Sequence, residues 1–409
     1  MNKKNILIIG GGFGGVACAL SLARHKDTSL KITLVSDKPH FEYTPTLYRI
    51  VTGHSPLEVC IPLKEIFSGK NITCITDTIT NIDLAGKKVF GSSGNFYQYD
   101  YIVLALGSQN TYFDLPGLAA FSFSFKSIVE ASRLQRHIHK LFEQYETSHG
   151  NTNTEMHFIV VGAGASGVEL AGELAGYTAT LAKKHNVPKS LIVIDLIEAS
   201  SRILPSFSED VALKIKKRLH KLGVNIFTSR PILKEEVEKI YLKGLSMKSD
   251  TIIWTAGIKS NELYLKTSGF TFSNKEKVVV DEYLRSNNFK YAFVVGDGAA
   301  TPYSGTAQTA IREGKVAAQN IINTLRDKML AGYKPKRPYY SLPVGPNWAA
   351  TLIGPLTIYG KIGWLLRKLA DLRYFTSILS FKKVLVVFQN NKTLCNNCEI
   401  CATLQTVQT

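Results

Sequence analysis

Apolar runs recur along this chain, and several stop abruptly at glycine. Asn5–Ile9 is one such run, ending at Gly10-Gly11-Gly12-Phe13-Gly14-Gly15. The next stretch, Val16 to about Arg24, has helical spacing, and Leu30–Ser36 is apolar again. The pattern predicts a buried strand, a helix and a second strand, in βαβ order. Tyr99–Leu106 reads as a further buried strand, ending at Gly107.

The opening pattern then returns. Ser127–Tyr145 reads as a helix and His149–Glu155 as a polar loop. Met156–Val161 is a strand, followed by Gly162-Ala163-Gly164-Ala165-Ser166-Gly167 and a helix to about Lys184. Leu191–Glu198 and Thr251–Thr255 are later strands, the second ending at Ala256-Gly257. Tyr291–Val295 ends at Gly296-Asp297-Gly298. One supersecondary unit is thus repeated. The predicted class is α/β, with two Rossmann-like dinucleotide-binding domains.

Gly10, Gly12 and Gly15 have the G-x-G-x-x-G spacing, and Gly162, Gly164 and Gly167 repeat it. The first glycine permits a tight turn, the second admits a pyrophosphate, and the third lets helix close on strand. The helix N-terminus then faces phosphate charge. Asp37 and Glu198 each follow the next strand, where a carboxylate can accept ribose hydroxyls. Asp37 stands 27 residues beyond Gly10, against the usual ~20; the polar turn His25–Ser29 accounts for the extra length. A carboxylate at Glu198 favours NADH over NADPH, and the nearby Arg202 weakens that preference. Two such sites in one chain imply FAD plus a nicotinamide cofactor, with the flavin as redox relay. Asp297, after a late strand, is expected to close back onto the first domain.

Composition narrows the field. The chain has 409 residues, 45% hydrophobic and 20% charged, which excludes a mostly disordered protein. Its net charge is +17. No zinc-finger spacing, Arg-rich arm or RNP-like motif is present, so no nucleic-acid partner is expected. No signal peptide is expected at the N-terminus. Pro338–Gly360 is long enough to span a bilayer, but its prolines and glycines predict turns and short strands. Residues 358–388 hold six Lys+Arg and one Asp among apolar and aromatic residues. Ile362, Leu365, Leu366, Leu369 and Leu372 recur at helical spacing, and Trp348 and Trp364 are candidates for the headgroup level. This fits a helix lying in an anionic membrane interface; packing on the protein's own core fits the same spacing.

Certain segments resemble the type II NADH:quinone oxidoreductases, single-subunit flavoproteins with two dinucleotide-binding domains. NILIIGGGFGG at Asn5–Gly15, FEYTPTLYRIVTG at Phe41–Gly53 and GAGASGVELAGEL at Gly162–Leu174 carry the resemblance. IEASSRILP, TIIWTAG and VGDG add to it, and TAQTAIREG at Thr306–Gly314 is the most specific. The resemblance spans about residues 4–390. It implies two-electron transfer from NADH through FAD to a quinone, without proton pumping, at a membrane surface. It implies a glutathione-reductase-like arrangement: FAD domain at 1–120 and 271–338, NADH domain at 121–270, and a C-terminal membrane-associating region at 339–409. It places Gly12, Asp37 and Asp297 at FAD, and Gly164 and Glu198 at NADH. Glu169 matches the family glutamate near nicotinamide and flavin, and Ala307-Gln308 the pair at the quinone end. Glu169 and Gln308 are therefore the catalytic candidates. Phe13, Gly14, Thr44, Pro45, Gly107, Ala256 and Gly257 join the glycines already named as cofactor-binding candidates. Peripheral attachment at the cytoplasmic face and a homodimer are the family expectation.

Two plainer readings stand beside these. A carboxylate at Glu169 is stabilised by its helix N-terminus in any case, and Gln308 is suited to holding a helix start. The cysteines separate close relatives. Only Cys18, Cys60 and Cys74 precede Cys395, so neither a flavin-linked dithiol nor sulfide capture has its nucleophile. Sulfide:quinone oxidoreductase and a flavoprotein with an interaction role remain the alternatives. The CNNCEIC tail at Cys395, Cys398 and Cys401 has a metal-like spacing, but it is short and polar. The nine His form no ligand cluster, and no metal site is expected.

Overall fold

The computed structural model describes residues 3–148, 155–249 and 251–388. The loop expected at His149–Glu155 lies almost wholly outside them, as does the triple-cysteine tail. Two parallel sheets organise the molecule. The first has the spatial order Ala292–Val294, Tyr101–Leu104, Lys4–Ile9, Leu30–Ser36, Ile72–Thr76. Every neighbouring pair in it is parallel. The second has the order Val224–Phe227, Ile192–Ile197, Met156–Val161, Thr251–Trp254, again all parallel. The inner strands are covered on both faces, which is why they are apolar runs rather than alternating ones, whereas the edge strand Ile72–Thr76 is half-exposed.

The chain leaves the first sheet after Tyr101–Leu104, builds the second, and returns with Ala292–Val294. A short antiparallel ladder, Ser108–Asn110 against Ile258–Ser260, joins the outgoing and returning segments. In the first unit, helix Phe13–Ala23 packs against helix Ala307–Leu325. They approach so closely that a Cβ on Gly314 would stand 2.3 Å from the Gly14 carbonyl oxygen. The helix Ile128–Thr147 starts at a capping box, in which Ser127 Oγ accepts the Glu130 N–H and the Glu130 carboxylate accepts the Ser127 N–H.

Three three-stranded antiparallel sheets and a two-stranded one, His40–Glu42 with Cys60–Pro62, lie outside the repeat among the described residues. The one at Tyr340–Pro343, Ala349–Ile353 and Leu356–Tyr359 occupies the proline-rich stretch expected to form short strands. The meander Ile232–Glu236, Lys239–Leu242, Leu245–Lys248 was not legible beforehand. Its strands mix charged and apolar residues, and only Glu235, Ile240 and Leu242 are buried.

The last helices, Gly360–Ile378 and Phe381–Phe388, are divided by face. Asp371, Phe375 and Ile378 are buried against the body of the protein. Ile362, Leu365, Leu369 and Leu372 are exposed, as is Phe381 beyond them. The helix is therefore core on one side and unpartnered on the other. Among the described residues no helix is long and apolar enough to cross a membrane. Trp348 is packed between Tyr359, at 6.0 Å, and the Arg218 guanidinium, at 5.8 Å.

Candidate functional site

The two glycine turns are built alike. Gly10 has φ +110° and Gly162 has φ +100°, which side chains disfavour. A Cβ on Gly10 would lie 2.3 Å from the Ala105 carbonyl oxygen, and one on Gly162 would lie 2.7 Å from Ala256 Cα. Each first glycine thus rests against the end of the neighbouring strand. A Cβ on Gly15 or Gly167 would lie within 2 Å of the carbonyl oxygen of Gly10 or Gly162. The middle glycines differ: nothing lies within 4 Å of a Cβ on Gly12 or Gly164. Open space at the middle position is what a phosphate requires.

A cleft of about 780 Å³ runs from the first turn to the second domain. Gly12, Phe13, Gly14, Asp37, Thr44 and Pro45 line it, together with Gly107, Asp297 and Ala307. Ser166, Thr255 and Gly257 enter it from the second domain. The helix Ala307–Leu325 points its N-terminus here, with Thr306 Oγ1 accepting the Thr309 N–H. Its positive end favours negative charge in the cleft.

Glu198 sits at the second turn. Its carboxylate accepts the Ala163 N–H and the Ser200 N–H, both at 2.8 Å. Arg202 turns away, its guanidinium donating to the carbonyls of Leu204, Pro205 and Phe207. That guanidinium is already satisfied, so the weakening of NADH preference expected from Arg202 has no structural support here.

Glu169 lies just beyond the first turn of helix Ala165–Lys184, which itself holds no acidic residue, so the helix N-terminus is a weaker stabiliser of its charge than the sequence suggested. Burial pushes its carboxyl up to about 8, against the opposing charge of Arg367, while Glu173 and Asp371 raise it further. Arg367 comes from the C-terminal helix and donates to the Pro45 carbonyl at 2.8 Å. Gln308 does not line the cleft. Its Nε2 donates to the Tyr339 carbonyl at 2.7 Å, and its Oε1 accepts the Tyr339 N–H at 3.2 Å. It fastens the segment before Tyr340 to the helix, while its neighbour Ala307 faces the cleft.

Several contributors were not singled out in the sequence, although Glu313 lies within the TAQTAIREG segment. Glu313 is fully buried; it accepts the Gly296 N–H at 2.6 Å and the Thr301 hydroxyl. It holds the turn that carries Asp297. Tyr264, also buried, donates to the Leu104 carbonyl and accepts the Leu106 N–H, holding the Gly107 turn from behind. A second cavity of about 660 Å³ opens nearby, lined by Tyr43, Tyr48, Arg49, Glu173, Trp364 and Lys368 among others. Tyr43, Thr46 and Tyr48 face this cavity, whereas Thr44, Pro45 and Leu47 face the cleft. One short segment is thus the wall between the two. Among the described residues no cysteine lines the cleft. Cys18 is buried, and burial raises the Cys74 thiol to about 11.

The sequence from residue 4 to 314 matches the family model described as pyridine nucleotide-disulphide oxidoreductase. The chain belongs to that family. Within it, the chain is similar to the type II NADH:quinone oxidoreductase of Staphylococcus aureus (strain MSSA476). They are 26% identical over 400 residues, covering 93% of this chain and 98% of the relative. Among solved structures it is similar to NDH2 from Plasmodium falciparum in complex with NADH, with a TM-score of 0.84 and 18% identity. That match covers 95% of this chain and 97% of the other. The sulfide:quinone oxidoreductase of Aquifex aeolicus matches with a TM-score of 0.77 and 21% identity, over 97% and 98% of the two chains. At such identities the structures speak for the shared fold alone. Members of this pyridine nucleotide-disulphide oxidoreductase family use FAD and NAD(H), and the fold and its two glycine turns accord with oxidoreductase activity of that kind.

Proposed function

We propose that this protein is a non-proton-pumping NADH:quinone oxidoreductase that passes two electrons from NADH through FAD to a membrane quinone. The observation that carries the reading is the single cleft. It receives the first glycine turn and Asp297 from one unit, and Ser166, Thr255 and Gly257 from the other. Two dinucleotides held on these turns would meet end to end in one shared cleft, as hydride transfer requires.

A bound flavin supplies the two-electron relay. The chain's own residues do the rest. Gly12 and Gly164 leave room for the pyrophosphates, and Asp37 and Glu198 accept ribose hydroxyls. The Arg202 guanidinium donates to the carbonyls of Leu204, Pro205 and Phe207 rather than to Glu198, which leaves the Glu198 carboxylate to disfavour a 2′-phosphate and supports NADH over NADPH. Glu169, with its carboxyl pushed up to about 8, holds a proton at neutral pH that it can deliver towards quinone. Ala307 stands at the quinone end, and Gln308 acts as a positioning residue through Tyr339.

On this reading residues 1–120 and 271–338 form the FAD domain, 121–270 the inserted NADH domain, and 339–409 the membrane-associating region. The exposed face of Ile362, Leu365 and Leu369, with Lys361, Arg373 and Lys382 nearby, suits an anionic bilayer surface at the cytoplasmic face. A homodimer follows the family expectation. Sulfide:quinone chemistry has the weaker case, because sulfide capture needs a thiolate at the flavin. An interaction role without turnover would not require the two turns to share one cleft.

The deciding experiment is anaerobic. Purified protein is titrated with NADH, NADPH and sulfide while flavin absorbance is followed, and quinone is then added. NADH should bleach the flavin, and quinone should restore it. A flavin that NADH leaves oxidised would sink the reading, and bleaching by sulfide would favour the rival.

A further inference from the structure

The cleft contains two cations, and they are differently committed. Lys38 is paired, its Nζ lying 2.9 Å from Glu42 Oε2. Lys126 lines the same cleft, just before the capping box of helix Ile128–Thr147. Among the described residues it has no carboxylate within ion-pair distance. Its Nζ donates instead to Ser108 Oγ at 2.7 Å. The Ser108 hydroxyl in turn donates to Asp297 Oδ2 at 2.5 Å. The donors run in one direction: ammonium to hydroxyl to carboxylate. Burial pushes the Lys126 ammonium pKa down, and Asp297 and Glu130 oppose that shift. Among the described residues, the ammonium is therefore a desolvated charge whose only side-chain hydrogen-bond partner is a neutral hydroxyl.

That arrangement needs an anion to complete it. The cleft's lining carries Asp37, Glu42, Glu130 and Asp297 against Lys38 and Lys126. Without Lys126, an anionic dinucleotide would enter a cleft with one paired lysine and four carboxylates. Resting on the reading that this cleft holds FAD, we propose that Lys126 is a further cofactor-binding residue, meeting the negative charge of the flavin dinucleotide and orienting Asp297 through Ser108. That charge has two sources. One is the pyrophosphate, which is present at all times. The other is the ring system, which gains one proton and two electrons by hydride transfer, hence one unit of negative charge.

The test uses the full chain, stripped of flavin and retitrated with FAD. Wild type must bind FAD; if it does not, the reading of the cleft itself fails, and the role of Lys126 falls with it. Given wild-type binding, Lys126→Met should weaken FAD at least tenfold, and Lys126→Arg should restore most of the loss. Thermal unfolding of the flavin-free proteins should be alike, which separates a binding role from a folding one. The flavin midpoint potential then distinguishes the sources. If Lys126 faces the ring, Lys126→Met weakens reduced flavin a further tenfold, lowering the potential by about 30 mV for this two-electron couple. If it faces the pyrophosphate, affinity falls equally for both redox states and the potential stays put. Wild-type FAD affinity and potential in Lys126→Met would overturn the proposal. So would a loss that arginine does not rescue.

Discussion

The Tyr43 hydroxyl donates to Asp371 Oδ1 at 2.7 Å, joining residues 328 positions apart. Asp371 is almost fully buried, and it also faces the guanidinium groups of Arg49 and Arg367, each at 3.5 Å. Tyr374, one turn on, stacks on Tyr43 with ring centroids 5.3 Å apart and meets Phe13 of the first glycine turn at 5.1 Å. The C-terminal helix is thus bolted to the wall of the cleft. Removing one member of a buried charge network strands the others. Asp371→Ala should cost about 3 kcal/mol in unfolding free energy, whereas Tyr43→Phe should cost about 1 kcal/mol. Denaturant unfolding of both variants measures this. Equal small losses would mean that the network is solvated.

The glycines of the second turn should separate by role. Gly164→Ala meets open space, so it should leave stability near wild type while raising the KM for NADH about tenfold. Gly162→Ala forces a side chain onto φ +100° and against Ala256, and should destabilise by about 1–3 kcal/mol. Unfolding curves beside NADH kinetics test the distinction. A Gly164→Ala protein with unchanged KM would remove the pyrophosphate from that position.

Burial raises the Glu313 carboxyl to about 7, with Asp297 adding to the rise and Thr301, Gly296 and Lys277 opposing it. The folded state therefore holds a proton that the unfolded state has lost between pH 4.5 and about 7. Stability from this group is present below that window and declines as pH rises through it. Glu313→Gln should flatten the decline. Unfolding free energies at half-unit pH steps give the slope, and parallel slopes for wild type and variant would contradict it.

Glu169 gives a kinetic counterpart. With its carboxyl held up to about 8, quinone turnover should fall as pH rises through that value. Glu169→Gln should lose about a hundredfold in quinone reduction and lose that limb of the profile, with flavin reduction by NADH largely spared. Stopped-flow measurement of the two half-reactions separates them.

Membrane attachment is best tested on the exposed face of Gly360–Ile378 rather than by deleting the helix. Deletion would remove Asp371, Phe375 and Ile378 from the core. Leu365→Asp with Leu369→Asp should abolish binding to anionic vesicles at any salt, while leaving turnover with a water-soluble quinone intact. Lys361→Gln with Lys382→Gln should weaken binding only at low salt, by about 1 kcal/mol per lysine. Vesicle co-sedimentation reports both.

Much of this protein was written locally. A parallel strand covered on both faces must be apolar throughout, and a glycine turn that lets a phosphate approach must have its glycines at fixed spacing. Both are short-range demands, so the repeat, its turns and the strand ends at Gly107, Gly257 and Asp297 could be read in order along the chain. Glu198 was legible for the same reason, since it ends a strand beside its own turn. The contacts decided only by tertiary structure join distant segments and leave no spacing to read. Lys126 reaches Asp297 through Ser108, Asp371 reaches Tyr43, and Gln308 reaches Tyr339 rather than the cleft. The apolar spacing of Gly360–Ile378 was visible, but helical periodicity says only that a helix has faces. Which face met the core was settled by where Tyr43, Arg49 and Phe13 had already been placed.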